Sequence, residues 1–330
     1  MSGLLFVSWA PFCSRSDSIA RELGGKSVMV YHGFWGSNYA TVAFKYLSQT
    51  LATLFILLRL RPRHVMVMSP PAIACLPVWL YAKLFGAKYI VDAHTAAFVD
   101  PRWRALEFVT RFFARQALCT LVTDPHWQAV VRSWGAACEI VSDVRVHFAA
   151  PQPIDLPSGS KIAVVCTFTF DEPVAAMFEA ASLLRDVSFH FTGNWRRLSP
   201  TLLQRKPPNA HLMGFLPDSQ YVSLLAQCTA VMSLTTLDHT MQRGAYEAAY
   251  LARPIVTSDF DLLRRSFPMG TVFVEGTPQA IAEGVRRMCD DAARYAKEAV
   301  DLREHKLRTW EQVRLRLQAM LGLDPAPRSA

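Results

Sequence analysis

The sequence predicts an α/β protein of two doubly wound parallel-sheet domains. Short β-branched apolar runs alternate with helical patterns along most of the chain, as βαβ units require. The alternation pauses once, at residues 149–160 (AAPQPIDLPSGS), where three prolines break all periodicity, and then restarts. The length, 330 residues, suits two domains of ordinary size. The expected domains are therefore 1–150 and 151–330, facing each other across a cleft.

In the first domain, Leu4–Trp9 reads as a strand. A loop leads into a helix at Arg15–Leu23, with Ser14 or Ser16 as its cap and Asp17 at its positive end. Val28–Tyr31 is a second strand, followed by a Gly- and aromatic-rich loop holding Phe34, Trp35 and Tyr39. Ala40–Leu60 has helical spacing and ends in Arg59, Arg61 and Arg63. His64–Met68 and Lys88–Val91 are strands around a helix at Ala72–Phe85, and Asp92-Ala93-His94 follows the second of them. A helix at Trp103–Ala117, a strand at Cys119–Val122, a helix from Pro125 capped by Asp124, and Glu139–Val141 complete this half.

In the second domain, strands are expected at Ile162–Cys166, Val187–Phe191, Leu212–Phe215, Ala230–Leu234, Ile255–Thr257 and Val272–Val274. Helices are expected at Val174–Leu184, Ser219–Gln227, Arg243–Leu251 and Pro278–Met288, with a charged helical pattern from Ala292 to about Leu321. The chemistry concentrates in 228–259. There a strand feeds a polar loop with Asp238 and His239, then a helix opening at Gly244 with Arg243 and Glu247 one turn apart. Helix N–H groups and an Arg attract phosphate, and a carboxylate accepts hydrogen bonds from a ribose diol. An ordinary crossover has the same spacing.

Composition narrows the class. Hydrophobic residues make up 51% and charged residues 19%, which marks a folded chain. Seven cysteines, odd in number, scattered and without a CxxC, favour free thiols in a reducing compartment and no zinc site. Leu4–Val7 lacks a basic leader and reads as a strand, not a signal peptide. Val65–Ala82 is uncharged, but Pro70-Pro71 follows VMVMS, so a strand then a helix is expected there, not a membrane span. Residues 1–150 hold 15 Lys/Arg against 8 Asp/Glu, a net +7, whereas 151–330 hold 20 against 19. The basic half implies an anionic partner. Zinc-finger, KH and RRM signatures are absent, so nucleic acid is not expected. The basic cluster beside an apolar helix suits an anionic membrane surface, and equally a solvated helix terminus.

Several stretches together resemble a known family. Glu247-Ala-Ala-Tyr-Leu-Ala-Arg-Pro-Ile-Val-Thr-Ser-Asp259 is similar to the EAMAxGxPVVxTD block of family-4-like glycosyltransferases of the GT-B fold. Ser69-Pro70-Pro71, Asp92-Ala93-His94 and Cys166-Thr-Phe-Thr-Phe-Asp-Glu-Pro173 resemble the chitobiosyl-diphosphodolichol β-mannosyltransferase group and its bacterial polysaccharide relatives. Gly214-Phe215 resembles the loop beside the nucleotide base. The resemblance implies two Rossmann-like domains, an acceptor domain first and a nucleotide-sugar domain second. It implies that Glu247 binds the donor ribose, with Thr167, Thr169, Gly193, Asn194, Phe215, His239, Thr240, Arg243 and Gly244 completing the donor site. Arg15 and Trp35 would serve the acceptor, and Asp17 and His94 are the catalytic candidates.

The chain departs from the family in two places. His239 stands where retaining members carry the first Glu of an E-x7-E pair, and the usual basic pair for the diphosphate is missing. The departure leans towards inversion, while the family-4 block leans towards retention. No cofactor and no metal is expected, the co-substrate being a nucleotide diphosphosugar. The acceptor implied is a lipid-linked saccharide in exopolysaccharide or lipopolysaccharide assembly, which would place the protein at the inner face of the plasma membrane. A sugar-nucleotide epimerase of the same fold and a noncatalytic nucleotide-sugar or nucleic-acid binding module are the alternatives. Singly, each candidate also has an ordinary structural role open to it: His94 as a core histidine, Asp17 as a helix-dipole partner, Gly193-Asn194 as a turn.

Overall fold

A computed structural model of the chain describes residues 3–35 and 39–323. The chain divides into two compact units, one reaching to Arg145 and taking back the chain from Trp310, the other spanning Val146–Thr309.

Unit 1 runs β1 (Leu4–Ser8), α1 (Ser14–Glu22), β2 (Lys26–Met29), α2 (Tyr39–Leu60), β3 (His64–Ser69), α3 (Cys75–Phe85) and β4 (Lys88–Ala93). It continues with α4 (Ala96–Val99), α5 (Pro101–Arg104), α6 (Glu107–Gln116), β5 (Cys119–Val122), α7 (Pro125–Ser133) and β6 (Cys138–Ile140). The strands form one parallel sheet in the order β2-β1-β3-β4-β5-β6. Alternation along each strand feeds two cores. Leu5, Val7, Val65 and Val67 pack on one face, and Leu4, Phe6, Met66 and Ile90 on the other.

Unit 2 runs β7 (Ser160–Val164), α8 (Val174–Leu183), β8 (Val187–Thr192), α9 (Pro200–Gln204), β9 (Ala210–Gly214), α10 (Asp218–Gln227) and β10 (Ala230–Ser233). Then come α11 (Arg243–Tyr250), β11 (Ile255–Ser258), α12 (Asp261–Ser266), β12 (Thr271–Val274), α13 (Pro278–Asp290) and α14 (Ala292–Leu321). Its parallel sheet has the order β12-β11-β10-β7-β8-β9. This is the doubly wound Rossmann order, and it reverses direction at β7, where the crevice for a ligand opens.

The expected sheet strands all form, most with ends moved by one or two residues. Two local expectations are corrected. The cap of α1 is Cys13, without a side-chain cap bond, because Ser16 turns inward to pair with Ser8 at 2.6 Å. The expected helix 103–117 is two pieces, α5 and α6, because the Asp100 carboxylate accepts from Arg102 N and starts α5 at Pro101. The short helices α4, α9 and α12 are too brief to show a period in the sequence. Helix α14 begins in unit 2, and from Trp310 onward it belongs to unit 1. Trp310, Leu317 and Leu321 cover the Leu4/Phe6 core, and Trp310 Nε1 donates to Glu22 at 2.7 Å.

All seven cysteines are free thiols, and burial raises those of Cys75, Cys138 and Cys228 to about 12.

Candidate functional site

In unit 2, the loops after β7, β8, β9 and β10 converge at the carboxyl end of the sheet. Gly193 follows β8 at φ +93, and a Cβ there would lie 2.0 Å from the Cys166 carbonyl oxygen. Only glycine allows this approach, which draws the β8 loop onto the β7 loop. Gly193 N also donates to Gly214 O at 3.0 Å, which ties in the end of β9. Asn194 follows, half-buried, without a side-chain cap bond. On the other flank a Cβ on Gly244 would meet Val165 at 2.6 Å and Ser233 at 3.0 Å. The first turn of α11 therefore sits directly on the ends of β7 and β10.

Glu247, on the next turn of α11, is 3% exposed. Arg243 Nε donates to its Oε1 at 2.6 Å and Tyr221 Oη to its Oε2 at 2.6 Å. Burial and the Glu247 charge push the Tyr221 phenol well above its ordinary value, so it stays a donor. For Arg243, burial works against the charge, but Glu247 outweighs it and the guanidinium is held protonated.

Thr167 and Thr169 lie in the β7 loop around Phe168, whose φ is +57. Their hydroxyls are 3.1 Å apart. Their backbone N–H groups donate to the Glu172 carboxylate at 2.9 to 3.0 Å, so the loop closes on an acid of its own. Burial raises the Glu172 pKa against the lowering effect of those N–H bonds. Asp171 fastens this loop to the next one, accepting from Thr236 N at 2.7 Å through its carbonyl and from Thr235 Oγ1 at 3.3 Å through its carboxylate. In the 234–242 loop His239 has φ +55, and Asp238 accepts from its N–H at 2.6 Å and from the Thr240 hydroxyl at 3.2 Å. Phe215 is 79% exposed just past β9. A pocket of about 460 Å³ lies beside the β7 loop, lined by Phe168, Thr169, Phe170, Glu172, Arg197 and Leu202 among others.

In unit 1, the register that pairs Met68 with Asp92 and Ser69 with Ala93 sets Ser69-Pro70-Pro71 beside Asp92-Ala93-His94. His94 N donates to Ser69 O at 2.8 Å. Asp92 is fully buried, and Arg15 Nε and Nη2 both reach it at 3.0 Å. His94 Nε2 meets Asp92 Oδ2 at 3.1 Å, with the His94 side chain 31% exposed. Burial pushes Asp92 up, but Arg15 and His94 outweigh it and hold the carboxyl well below its usual range. The ionised Asp92 thus fixes the His94 ring, accepting a hydrogen bond from its Nε2.

Asp17 lies apart from this cluster. Two residues along α1 turn it from Arg15, and it accepts a hydrogen bond from Ser27 of β2, on the far side of β1 from Asp92. Trp35 closes a short 3-10 turn at 33–35, and its side chain lies outside the described residues.

The structure therefore joins Thr167, Thr169, Gly193, Arg243, Gly244 and Glu247 around one strand end, and Arg15 with His94 through Asp92. Sequence reasoning missed Tyr221 as the second partner of Glu247, since 26 residues separate them and no motif links the two. It also missed Glu172 as the internal partner of the Thr167 and Thr169 amides, although the Asp171-Glu172-Pro173 block marks the place.

This pair of doubly wound, Rossmann-like units has the GT-B fold. No protein-family model and no curated protein matches the chain. Among solved structures it is similar to sucrose-phosphate synthase from Thermosynechococcus elongatus, with 12% identity, 96% of this chain and 98% of that chain covered, and a TM-score of 0.71. It is also similar to Anabaena HepE in complex with UDP and glucose, at 11% identity, 94% and 100% coverage and a TM-score of 0.66. A putative UDP-N-acetylglucosamine 2-epimerase from Listeria monocytogenes aligns at 12% identity, over 91% of each chain, with a TM-score of 0.59. At these identities the likeness is one of fold.

Proposed function

We propose that the protein is a glycosyltransferase that moves a sugar from a nucleotide diphosphosugar to an acceptor hydroxyl. The observation that carries this reading is the buried Glu247 carboxylate, held by Arg243 and Tyr221 one turn into a helix whose start is pressed onto β7. That arrangement suits a ribose diol at Glu247 and a diphosphate at the α11 amides. Arg243, the α11 amides and the hydroxyls of Thr167 and Thr169 would bear the leaving diphosphate's charge, so the reading needs no metal. Phe215 and the Gly193-Asn194 turn would border the base and the sugar, and His239 and Thr240 the donor's other edge.

Unit 1 supplies the base. The acceptor oxygen attacks the anomeric carbon, the bond to the diphosphate breaks, and the acceptor proton passes to His94 Nδ1, the nitrogen turned away from Asp92. This favours inversion and makes His94 a better base than Asp17, whose carboxylate accepts from Ser27. Asp92 and Arg15 position the imidazole. We extend the reading to a lipid-linked saccharide acceptor of the mannosyltransferase-like type, at the inner membrane face. The basic first half and the apolar α2 support this extension.

A thermal-shift panel of UDP-, GDP-, ADP- and dTDP-sugars tests donor binding, because a ligand specific to the folded state raises Tm. Product analysis with and without acceptor then separates transfer from epimerisation. A free sugar or an epimerised nucleotide sugar formed without acceptor overturns the transfer reading, and EDTA sensitivity overturns its metal-free part.

A further inference from the structure

Helix α2 is apolar on both faces: Leu57 is fully buried in the core, with Ala52 and Ile56 packed against it, yet the outer face is apolar too. Its sheet-facing positions also carry polar groups: Gln49 Nε2 donates to Val30 O at 2.7 Å, and Thr53 Oγ1 accepts from Trp9 Nε1 at 3.0 Å. Leu47, Leu51, Phe55 and Leu58 lie on its outer side at helical spacing, with Leu51 59% and Phe55 64% exposed. Helix α2 packs on α3, whose last turn exposes Leu84 and Phe85, and α6 nearby exposes Phe108 and Phe112. A surface helix of a water-facing protein carries polar residues on its outer face instead. By length and composition α2 is apolar enough to cross a bilayer, but its polar bonds into the sheet fix it as a surface helix.

The stripe ends in cations. Arg59, Arg61, Arg63, Lys83 and Lys88 are all exposed. Arg61, Arg63 and Lys88 ring a pocket of about 490 Å³ with His64, Tyr81 and Phe85. His64 Nδ1 is buried there without a hydrogen-bond partner among the described residues. From residue 23 to residue 91 the chain has seven Lys/Arg and no Asp or Glu. A second copy meeting this face through its own would bring like charges together. An acyl layer beneath a sheet of phosphates complements both the stripe and the cations.

We propose that the α2 stripe and the cationic pocket at its end form a docking surface for an anionic phospholipid bilayer. The outer Leu and Phe side chains enter the acyl boundary, and Arg61, Arg63 and Lys88 take headgroup phosphates. This names the surface behind the membrane-facing part of the proposed function and rests on that reading.

The test is co-sedimentation of the full chain with phosphatidylcholine vesicles, with and without phosphatidylglycerol. Wild type is expected to favour the anionic vesicles by about tenfold or more. Leu51→Asp/Phe55→Asp loses that binding, and Arg61→Glu/Arg63→Glu loses both the binding and its salt dependence. Both double variants should keep the nucleotide thermal shift, which shows that they fold. Undiminished vesicle binding by either one overturns the proposal. So does a wild-type dimer that Phe55→Asp dissociates, because a second copy would then cover the stripe, or a protein partner captured through the stripe in place of vesicles. Displacement by inorganic phosphate with no dependence on the stripe would reduce the pocket to a free-phosphate site and also overturn it. If vesicles bind but no nucleotide sugar shifts Tm, the surface stands and the transfer reading falls; the reverse result sinks the surface alone.

Discussion

The Tyr221 hydroxyl donates a 2.6 Å hydrogen bond to Glu247, which clamps the carboxylate of α11 from α10 while Arg243 holds its other oxygen. Glu247→Gln keeps the shape and loses the charge. Nucleotide-sugar affinity is expected to fall by about 10- to 100-fold, and for Tyr221→Phe by about tenfold, in titration calorimetry. Wild-type affinity in both variants would remove the ribose role from Glu247.

His94→Gln should lower kcat by about 10²- to 10⁴-fold while leaving the donor thermal shift intact, since the proposed base acts on the acceptor side. Asp17→Asn should leave kcat within about threefold of wild type by the same argument. The reverse ranking in a transfer assay would return the base role to Asp17.

Asp92→Asn leaves Arg15, only 12% exposed, without its counter-charge, and should destabilise the protein by about 3–5 kcal/mol at neutral pH. The sign of the pH effect follows from the lowered carboxyl. Its contribution is full above the unfolded value of about 4 and is lost as pH falls towards the folded value. Denaturant curves of wild type and variant should therefore draw together only below about pH 4. A constant gap through that range would refute the pairing.

His190 is buried on β8, with Ser188 Oγ at 3.1 Å and the His211 ring at 5.0 Å. Burial first, then His211 and Lys161, lowers its pKa to about 4. The unfolded chain takes up the proton near pH 6.5 and the folded chain only near 4, so stability drops between them as pH falls, by up to about 3 kcal/mol. His190→Gln should flatten that slope. An unchanged slope would place the titration elsewhere.

Gly193→Ala sets a Cβ 2.0 Å from a backbone carbonyl at a positive φ, and should destabilise by about 2 kcal/mol or more and weaken donor binding with it. A Tm equal to wild type would show that the β7 and β8 loops are not pressed together as described.

Most strands were legible as short apolar runs, many of them holding β-branched residues, and Cys119–Val122 has the ends the pattern gives. Elements of four to six residues, such as α5, α9 and α12, complete too few turns to show a period. The return of Trp310 to unit 1 was hidden, because one unbroken helical pattern carries no mark of where its packing partner changes. At the site, Glu247, Arg243 and Gly244 were readable as a local motif. Tyr221 and the Arg15–Asp92 pair were not, since their meetings depend on strand order and not on spacing.

The Glu172 side chain closes the β7 loop on itself, accepting from the Thr167 and Thr169 amides. With Phe168 already in its left-handed turn and both threonine amides satisfied, the loop keeps its shape in the absence of any ligand. On the proposed reading, a nucleotide sugar arriving there would meet a preorganised edge and surrender little chain entropy on that side of the site. Binding should then report in calorimetry as contact enthalpy, with only a small ordering penalty from residues 167–169.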